Sequence, residues 1–399
     1  MLLAGVVLWE KQTRLLLFSR RWDTLDYGVL VLILSQWITA MVSGDWLTNK
    51  AIYGELYLAL LYYIGRTILA SYLSVDVNWI NRTILCFGAL LVLTVVFSWS
   101  YVMLYPAGTL EVSETKYIPN IGDVRRIEAL TMSPNMLMNM LMLPLFVSIG
   151  QYLQERRWQI LPIILFLSAA ALATFSKSIV LAGVGVLLLC LSWFRIPPWL
   201  RTLVLMSLGL IVVLFFISSK FLLIKKDQLD RSHILAQSYA TEAILYSDEE
   251  RDLYKSMHFV MNKEAYDAFL TAPYFGIGPG QFVAYINQRK AAGLYPTDKI
   301  SYGPHSLYLG VLAQSGLLGF SGLLFFLFTI ANKWRSLWNH TTNSQRGLML
   351  AIGVYLLIWL LDGLSMDTLH FRHFWWIAAL VGAWKTGLGE ERDEGVPKA

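Results

Sequence analysis

The chain has 399 residues, of which 56% are hydrophobic and only 15% charged, and its net charge is +5. At a mean hydropathy of +0.53 it holds more apolar surface than a water-soluble core can cover, which excludes a free-standing soluble enzyme and makes the bilayer its solvent. The excess of Trp and Tyr, 15 and 20 residues, suits belts at the membrane interfaces, and the basic excess in such a protein marks the sidedness of loops rather than nucleic-acid binding.

The opening MLLAGVVLWE has no cleavable signal peptide and reads as the tail of a span. Apolar runs of spanning length follow at 26–42, 52–72, 83–104, 133–152, 159–174, 178–194, 202–218, 304–332, 347–362 and 374–388. Together they predict an all-α polytopic membrane protein with about eleven transmembrane helices. The loops on the side of 11–25 hold 14 Lys and Arg, whereas the opposite short loops hold 6. The positive-inside rule therefore puts the first set, and the C-terminal tail, in the cytoplasm. Cys86 and Cys190 sit within apolar runs and imply neither a disulfide nor a metal site.

Three regions result: an N-terminal transmembrane bundle over 1–218, a large outer loop over 219–303, and a C-terminal bundle with a short tail over 304–399. The loop carries ten basic and ten acidic residues, and it is too long for a simple turn between spans. Arg251, Tyr254, His258, Met261 and Ala265 recur at helical spacing and predict an amphipathic helix over 238–270, lying at the membrane surface. The next segment is APYFGIGPGQF, in which Gly276, Gly278 and Gly280 force turns and bring bare backbone close to whatever packs there.

Candidate chemistry gathers on the outer side. His305 follows Pro304 at the mouth of an apolar run, so the span is expected to begin at Pro304. The positive end of that helix keeps the imidazole neutral and able to accept a proton; the alternative is a histidine that only packs at the headgroup level. Arg125, Arg126, Arg251 and Lys177 stand where the positive-inside rule disfavours them. Arginine's planar fork pairs with phosphate, and cations at a membrane mouth suit a diphosphate; the alternative is snorkelling towards headgroups. His370 and His373 are three residues apart but lack a neighbouring acid or Cys cluster for a metal. Asp362 and Asp367 flank a short loop and read as solvated. Arg66 is the one clear charge in mid-span.

In chain order the motifs are Ser133-Pro134-Asn135 before a span, Ser176-Lys177-Ser178 between two spans, a long outer loop with an Arg-led helix, P-x-x-G-x-G-x-G from Pro273 to Gly280, and PHSLYLGVLAQSGLLG. This order resembles the O-antigen ligase and polymerase superfamily of bacterial inner-membrane glycosyltransferases, from about Asp26 to Trp384. The resemblance implies a glycan donor on undecaprenyl diphosphate, a lipid A core or similar acceptor, inversion at the sugar, and no cofactor or metal. It implies His305 as the base, Arg251 as a catalytic cation, and Arg125, Arg126, Lys177, Asn135 and the three glycines in donor binding. The family's His-Asn is His305-Ser306 here, its Ser-Arg-Gly is Ser176-Lys177-Ser178, and Tyr254 replaces a tryptophan, which leaves Arg231 as a second candidate for the role of Arg251. A repeat-unit polymerase is the alternative within the superfamily. A small-anion transporter is the alternative outside its enzymes, and a non-catalytic glycan-binding scaffold is a further one.

Overall fold

The computed structural model describes residues 22–44, 50–73, 77–105, 110–118, 122–131, 133–225, 244–247, 251–295 and 303–384. The opening apolar fragment, Arg231 and the C-terminal tail lie outside these residues. The chain is mostly helical, and every apolar run predicted from 26–42 onward coincides with a helix: α1 Thr24–Val42, α2 Lys50–Leu73, α3 Val77–Leu104, α4 Pro134–Glu155, α5 Leu161–Ala173, α6 Ile179–Trp193, α7 Pro198–Lys220, α10 Leu307–Asn339, α11 Arg346–Asp362 and α12 Arg372–Ala383. Among the described residues six helices (α1, α3, α4, α7, α10 and α11) are long and apolar enough to cross a bilayer; α5 and α6 are shorter apolar helices.

Two small sheets sit among the helices. A hairpin of β1 (Ser113–Ile118) and β2 (Gly122–Ile127) precedes α4, and a three-stranded antiparallel sheet ordered β3-β5-β4 follows α7. That second sheet corrects the helix expected over 238–270. Arg251–Lys255 forms β5, paired with β3 (Phe221–Lys225) and β4 (Ile244–Ser247), and the helix α8 covers only Met257–Thr271. The cause is a partner elsewhere in the chain: Phe221 to Ile224 emerges extended from α7 and offers a ladder to Arg251–Lys255. Ser256 then caps α8, its hydroxyl accepting from the Phe259 amide. A short helix, α9 (Phe282–Ala291), completes this region.

The helices interleave rather than stack in chain order. α1 lies along α10, α2 against α12, and α4 against α11. Small residues allow this closeness, as in membrane bundles generally. A Cβ on Gly150 of α4 would stand 2.6 Å from the Gly347 carbonyl oxygen of α11. At the end of the bundle remote from His305, Arg66 is buried and ion-paired with Asp26 and, at 3.3 Å, with Asp23; its Nε donates to the Gly382 carbonyl at 3.1 Å. Lys333 of α10 pairs with Asp23 at 3.1 Å and the Tyr62 hydroxyl donates to Asp26 at 3.0 Å. The mid-span arginine is therefore a clasp joining α1, α2, α10 and α12, which is how a buried charge is tolerated.

Candidate active site

His305 stands outside its helix. α10 starts at Leu307 rather than at Pro304, because Ser306 takes the cap position and its hydroxyl accepts from the Leu309 amide at 3.4 Å. The Leu307 amide donates to the carbonyls of Gly363 at 2.8 Å and Met366 at 3.1 Å, which ties the helix start to the loop after α11. His305 itself adopts φ +49°, in the left-handed region that costs a residue with a Cβ. Strain of this kind persists where the surrounding structure over-determines it, and it gathers at functional sites.

The surroundings of His305 come from α8. The ring of His258, in the first turn of that helix, lies 4.8 Å from the His305 ring, centroid to centroid, at a 59° tilt. One turn on, Asn262, with its amide oriented to match its neighbours, donates to the Pro304 carbonyl at 2.9 Å and to the His258 carbonyl at 3.2 Å; its oxygen accepts from Lys220 Nζ. Ser256 Oγ donates to the Ser219 carbonyl at 2.7 Å. α7, α8 and the Pro304-His305 segment are thus one hydrogen-bonded unit, and both imidazoles sit at helix N-termini.

A second corner holds the cations. Successive residues of β2 face opposite ways, so Arg125 is exposed while Arg126 is 5% exposed. Each nitrogen of the Arg126 fork makes one bond: Nη1 donates to Glu114 at 2.5 Å, Nη2 to Asn135 Oδ1 at 2.8 Å and Nε to the Thr174 carbonyl at 3.2 Å. Asn135 follows the helix-capping Ser133-Pro134 of α4, and its Oδ1 also accepts from Ser176 Oγ at 2.7 Å. Lys177 is exposed at the turn between α5 and α6 and has no acidic partner among the described residues. The apolar side chains around it, and then the charge of Arg126, hold its pKa below the usual lysine value. Beside it opens a cleft of about 490 Å³ whose walls include Trp99, Leu172, Ala173, Phe175 and Ile179.

A buried polar chain joins the two corners. Ser178 Oγ donates to Asp362 Oδ1 at 2.8 Å, and Asn139 Nδ2 donates to Asp362 Oδ2 at 3.0 Å. The Tyr355 hydroxyl and His373 Nε2 both donate to Asn139 Oδ1, at 3.1 and 2.8 Å. Asp362 is 0% exposed, which corrects its reading as a solvated loop charge. Its neighbour Gly363 receives the Leu307 amide next to His305. His370 and His373 do not share a face: His370 Nε2 turns to Asp367 at 3.2 Å, whereas His373 turns inward to Asn139. Among the described residues no group of His, Cys, Asp and Glu could hold a metal ion.

The glycine turn packs against the chain itself. α10 is interrupted at Gly316 (φ +60°, ψ −160°), and residues 273–278 fill the break. Ile277 and Gly278 donate to the carbonyls of Ala313 and Gln314, and Leu317 and Leu318 to those of Pro273 and Tyr274, all within 3.1 Å. The Gly280 amide donates to Gln314 Oε1 at 2.7 Å. A Cβ on Gly276 would stand 2.3 Å from the Gln314 carbonyl carbon. The close approach that needs a glycine at 276 is to α10. Arg251 stands at a strand position, opposite Lys225.

His258 and Asp362 carry more of this site than the sequence pattern assigned them. An acid ending an otherwise apolar run, as in LLIWLLDG, was the available signal for Asp362; nothing in the spacing paired His258 with His305.

Residues 162–324 match the family model described as O-Antigen ligase. This stretch begins in α5 and ends within α10, so it includes Lys177, the glycine turn and His305 and leaves out the β2 arginines, Asn135 and Asp362. No curated protein matches the chain.

Proposed function

We propose that this chain, a member of the O-antigen ligase family by its match over residues 162–324, transfers a glycan from undecaprenyl diphosphate to an acceptor hydroxyl. The acceptor is lipid A core or a similar glycan-bearing lipid. We place the reaction at the periplasmic face of the bacterial inner membrane, with about eleven spans and the C-terminus in the cytoplasm. The observation that carries the reading is one strained histidine on the same end of the bundle as two cations beside an apolar cleft.

In this reading the cleft beside Lys177 takes the first part of the isoprenoid chain, and the diphosphate lies at the Lys177 ammonium, which has no acidic partner among the described residues, with Arg125 in reach of solvent. Arg126 adds charge from behind and spends three of its five donors on Glu114, Asn135 and Thr174, so its main part is to hold the corner. His305 accepts the proton of the acceptor hydroxyl as that oxygen attacks the anomeric carbon. The bond from that carbon to the diphosphate oxygen breaks, its electron pair leaves on the diphosphate, and the anomeric centre inverts. Cations fixed in a poorly solvated corner stabilise the charge that develops there. His258 holds the His305 ring in its orientation. Bonded into α10 by its backbone, the glycine turn is a wall of the site rather than a moving lid. The break in α10 does not favour transport, because a carrier's unwound helix lines a cavity and this one is filled by the chain's own backbone.

The test is the glycan pattern of a strain lacking the protein, with lipid-linked precursors quantified and rescue attempted by wild type and by His305→Ala. Polymer accumulating on the carrier lipid with a bare acceptor, rescued only by wild type, supports ligation. An acceptor carrying a single repeat unit makes the protein a polymerase. Rescue by His305→Ala at full efficiency removes the base from the mechanism, and an unchanged pattern removes glycan transfer altogether.

A further inference from the structure

The loop from Gly363 to Phe371 offers a cluster that the transfer chemistry above leaves unused. Its Met366 carbonyl receives the Leu307 amide, two residues from His305, and the next residue is Asp367. Asp367 Oδ2 lies 3.2 Å from Nε2 of the half-exposed His370. Glu55 of α2 lies near enough for the charges of both groups to act on it. Glu55 is 7% exposed, and its Oε2 is buried with no hydrogen-bond partner among the described residues. Arg372 stacks over the Tyr57 ring at 5.7 Å and holds the loop against α2.

A buried carboxylate oxygen without a donor is costly, and proteins keep such groups where a ligand supplies the missing hydrogen bond. Two carboxylates beside a ring N–H match a polyol: vicinal hydroxyls donate to the carboxylates and accept from the imidazole. These groups offer carboxyl oxygens and a ring nitrogen that exchange hydrogen bonds with hydroxyls. They therefore suit the partner that brings hydroxyls rather than the one that brings phosphate.

We infer that Glu55, Asp367 and His370 form a binding subsite for a sugar ring of the acceptor, next to the histidine that receives its proton. The inference rests on the transfer reading above. Hydrogen-bonding chemistry separates the two substrates: the donor phosphate is held at the Lys177 corner and the acceptor hydroxyls at the Glu55 corner, with His305 reached from both through the 362–366 loop. The acceptor is thus selected by hydroxyl pattern.

The test uses the full-length protein in nanodiscs, with donor and acceptor lipids extracted from the strain lacking it. Rates are measured against acceptor concentration and, separately, against donor concentration, and release of donor glycan to water is followed without acceptor. Glu55→Gln and Asp367→Asn keep size and shape, and His370→Gln alters a half-exposed position, so each variant folds. The expected result is a tenfold or larger rise in KM for the acceptor, with donor KM and release to water within twofold of wild type. An unchanged acceptor KM overturns the subsite, as does an equal loss in acceptor transfer and donor release. If wild type itself transfers nothing, the transfer reading fails and takes this inference with it, a result distinct from either.

Discussion

Gly276 offers the sharpest structural test, because the chain contains its own control. In Gly276→Ala the new methyl would lie 2.3 Å from the Gln314 carbonyl carbon, 2.4 Å from its oxygen and 2.4 Å from the Ser315 nitrogen. All three are backbone atoms, so no rotamer change relieves the clash. The residue also sits at φ +68°, where a Cβ costs about 1–2 kcal/mol. Relief requires the turn to lift from α10, which loses hydrogen bonds at Ile277, Gly278 and Gly280, each worth about 1 kcal/mol net. The sum is about 4–5 kcal/mol. Gly293 has φ +70° with nothing within 4 Å of its absent Cβ, so Gly293→Ala carries only the backbone cost of about 1–2 kcal/mol. Denaturation in detergent, followed by Trp fluorescence for both variants, isolates the packing contribution as the difference, about 3 kcal/mol. Equal destabilisation by the two substitutions would refute the argument that the turn is wedged into the broken helix.

Arg126→Ala strands the Thr174 carbonyl, takes one of two donors from Asn135 Oδ1 and removes the partner of Glu114; since Glu114 is 43% exposed, the loss is about 2–3 kcal/mol rather than the full cost of breaking a buried pair. Arg125→Ala should stay within about 0.5 kcal/mol, and thermal denaturation of the two variants side by side checks the contrast. Asn139→Leu leaves Asp362, Tyr355 and His373 each short of a hydrogen bond, a cost of at least about 3 kcal/mol. It should also lower transfer without touching substrate, since Asp362 precedes the Gly363 carbonyl that anchors Leu307; unaltered turnover in a folded Asn139→Leu protein would break that link. Asp367 first, with Glu55 adding, pushes the His370 pKa from the usual 6.5 up to about 9, while burial opposes them. A pKa raised on folding contributes stability that is fully present below about pH 6.5 and gone above about pH 9. Melting temperatures of wild type and His370→Gln should therefore differ at pH 6 and converge by pH 10, and a constant difference would contradict the pairing.

Much of the fold was legible in the residues. Apolar runs of bilayer length can satisfy their backbone groups only as helices, so the helix positions from 26–42 to 374–388 followed from composition and length. Ser133-Pro134, Ser256 and Ser306 are local capping signals that act over three or four residues, and they operate where they stand. The motif order that resembles the O-antigen ligases pointed to the family matched over 162–324, with His305 and Lys177 among its residues.

Other features depended on partners distant in the chain. Arg251–Lys255 reads as helical because its spacing matches a helix face, but β3, about thirty residues upstream in sequence, supplies a ladder that overrides local propensity. Ser306 sets the start of α10 at Leu307 locally, but only the fold brings the Gly363 and Met366 carbonyls to that first amide. Asp362 looked solvated until Asn139 and Ser178 closed around it, and no pattern in one stretch of sequence encodes that meeting of three helices. The glycines of the 273–280 turn announced close approach, which a missing Cβ does signal. Whether the approaching atoms belong to a ligand or to the chain was decided by the break at Gly316, and there they are the backbone of α10. Hydropathy and capping are properties of neighbouring residues and can be read in line. Burial of a charge, the pairing of His258 with His305 and the closing of a turn onto a broken helix are properties of contact, and they exist only once the chain has folded.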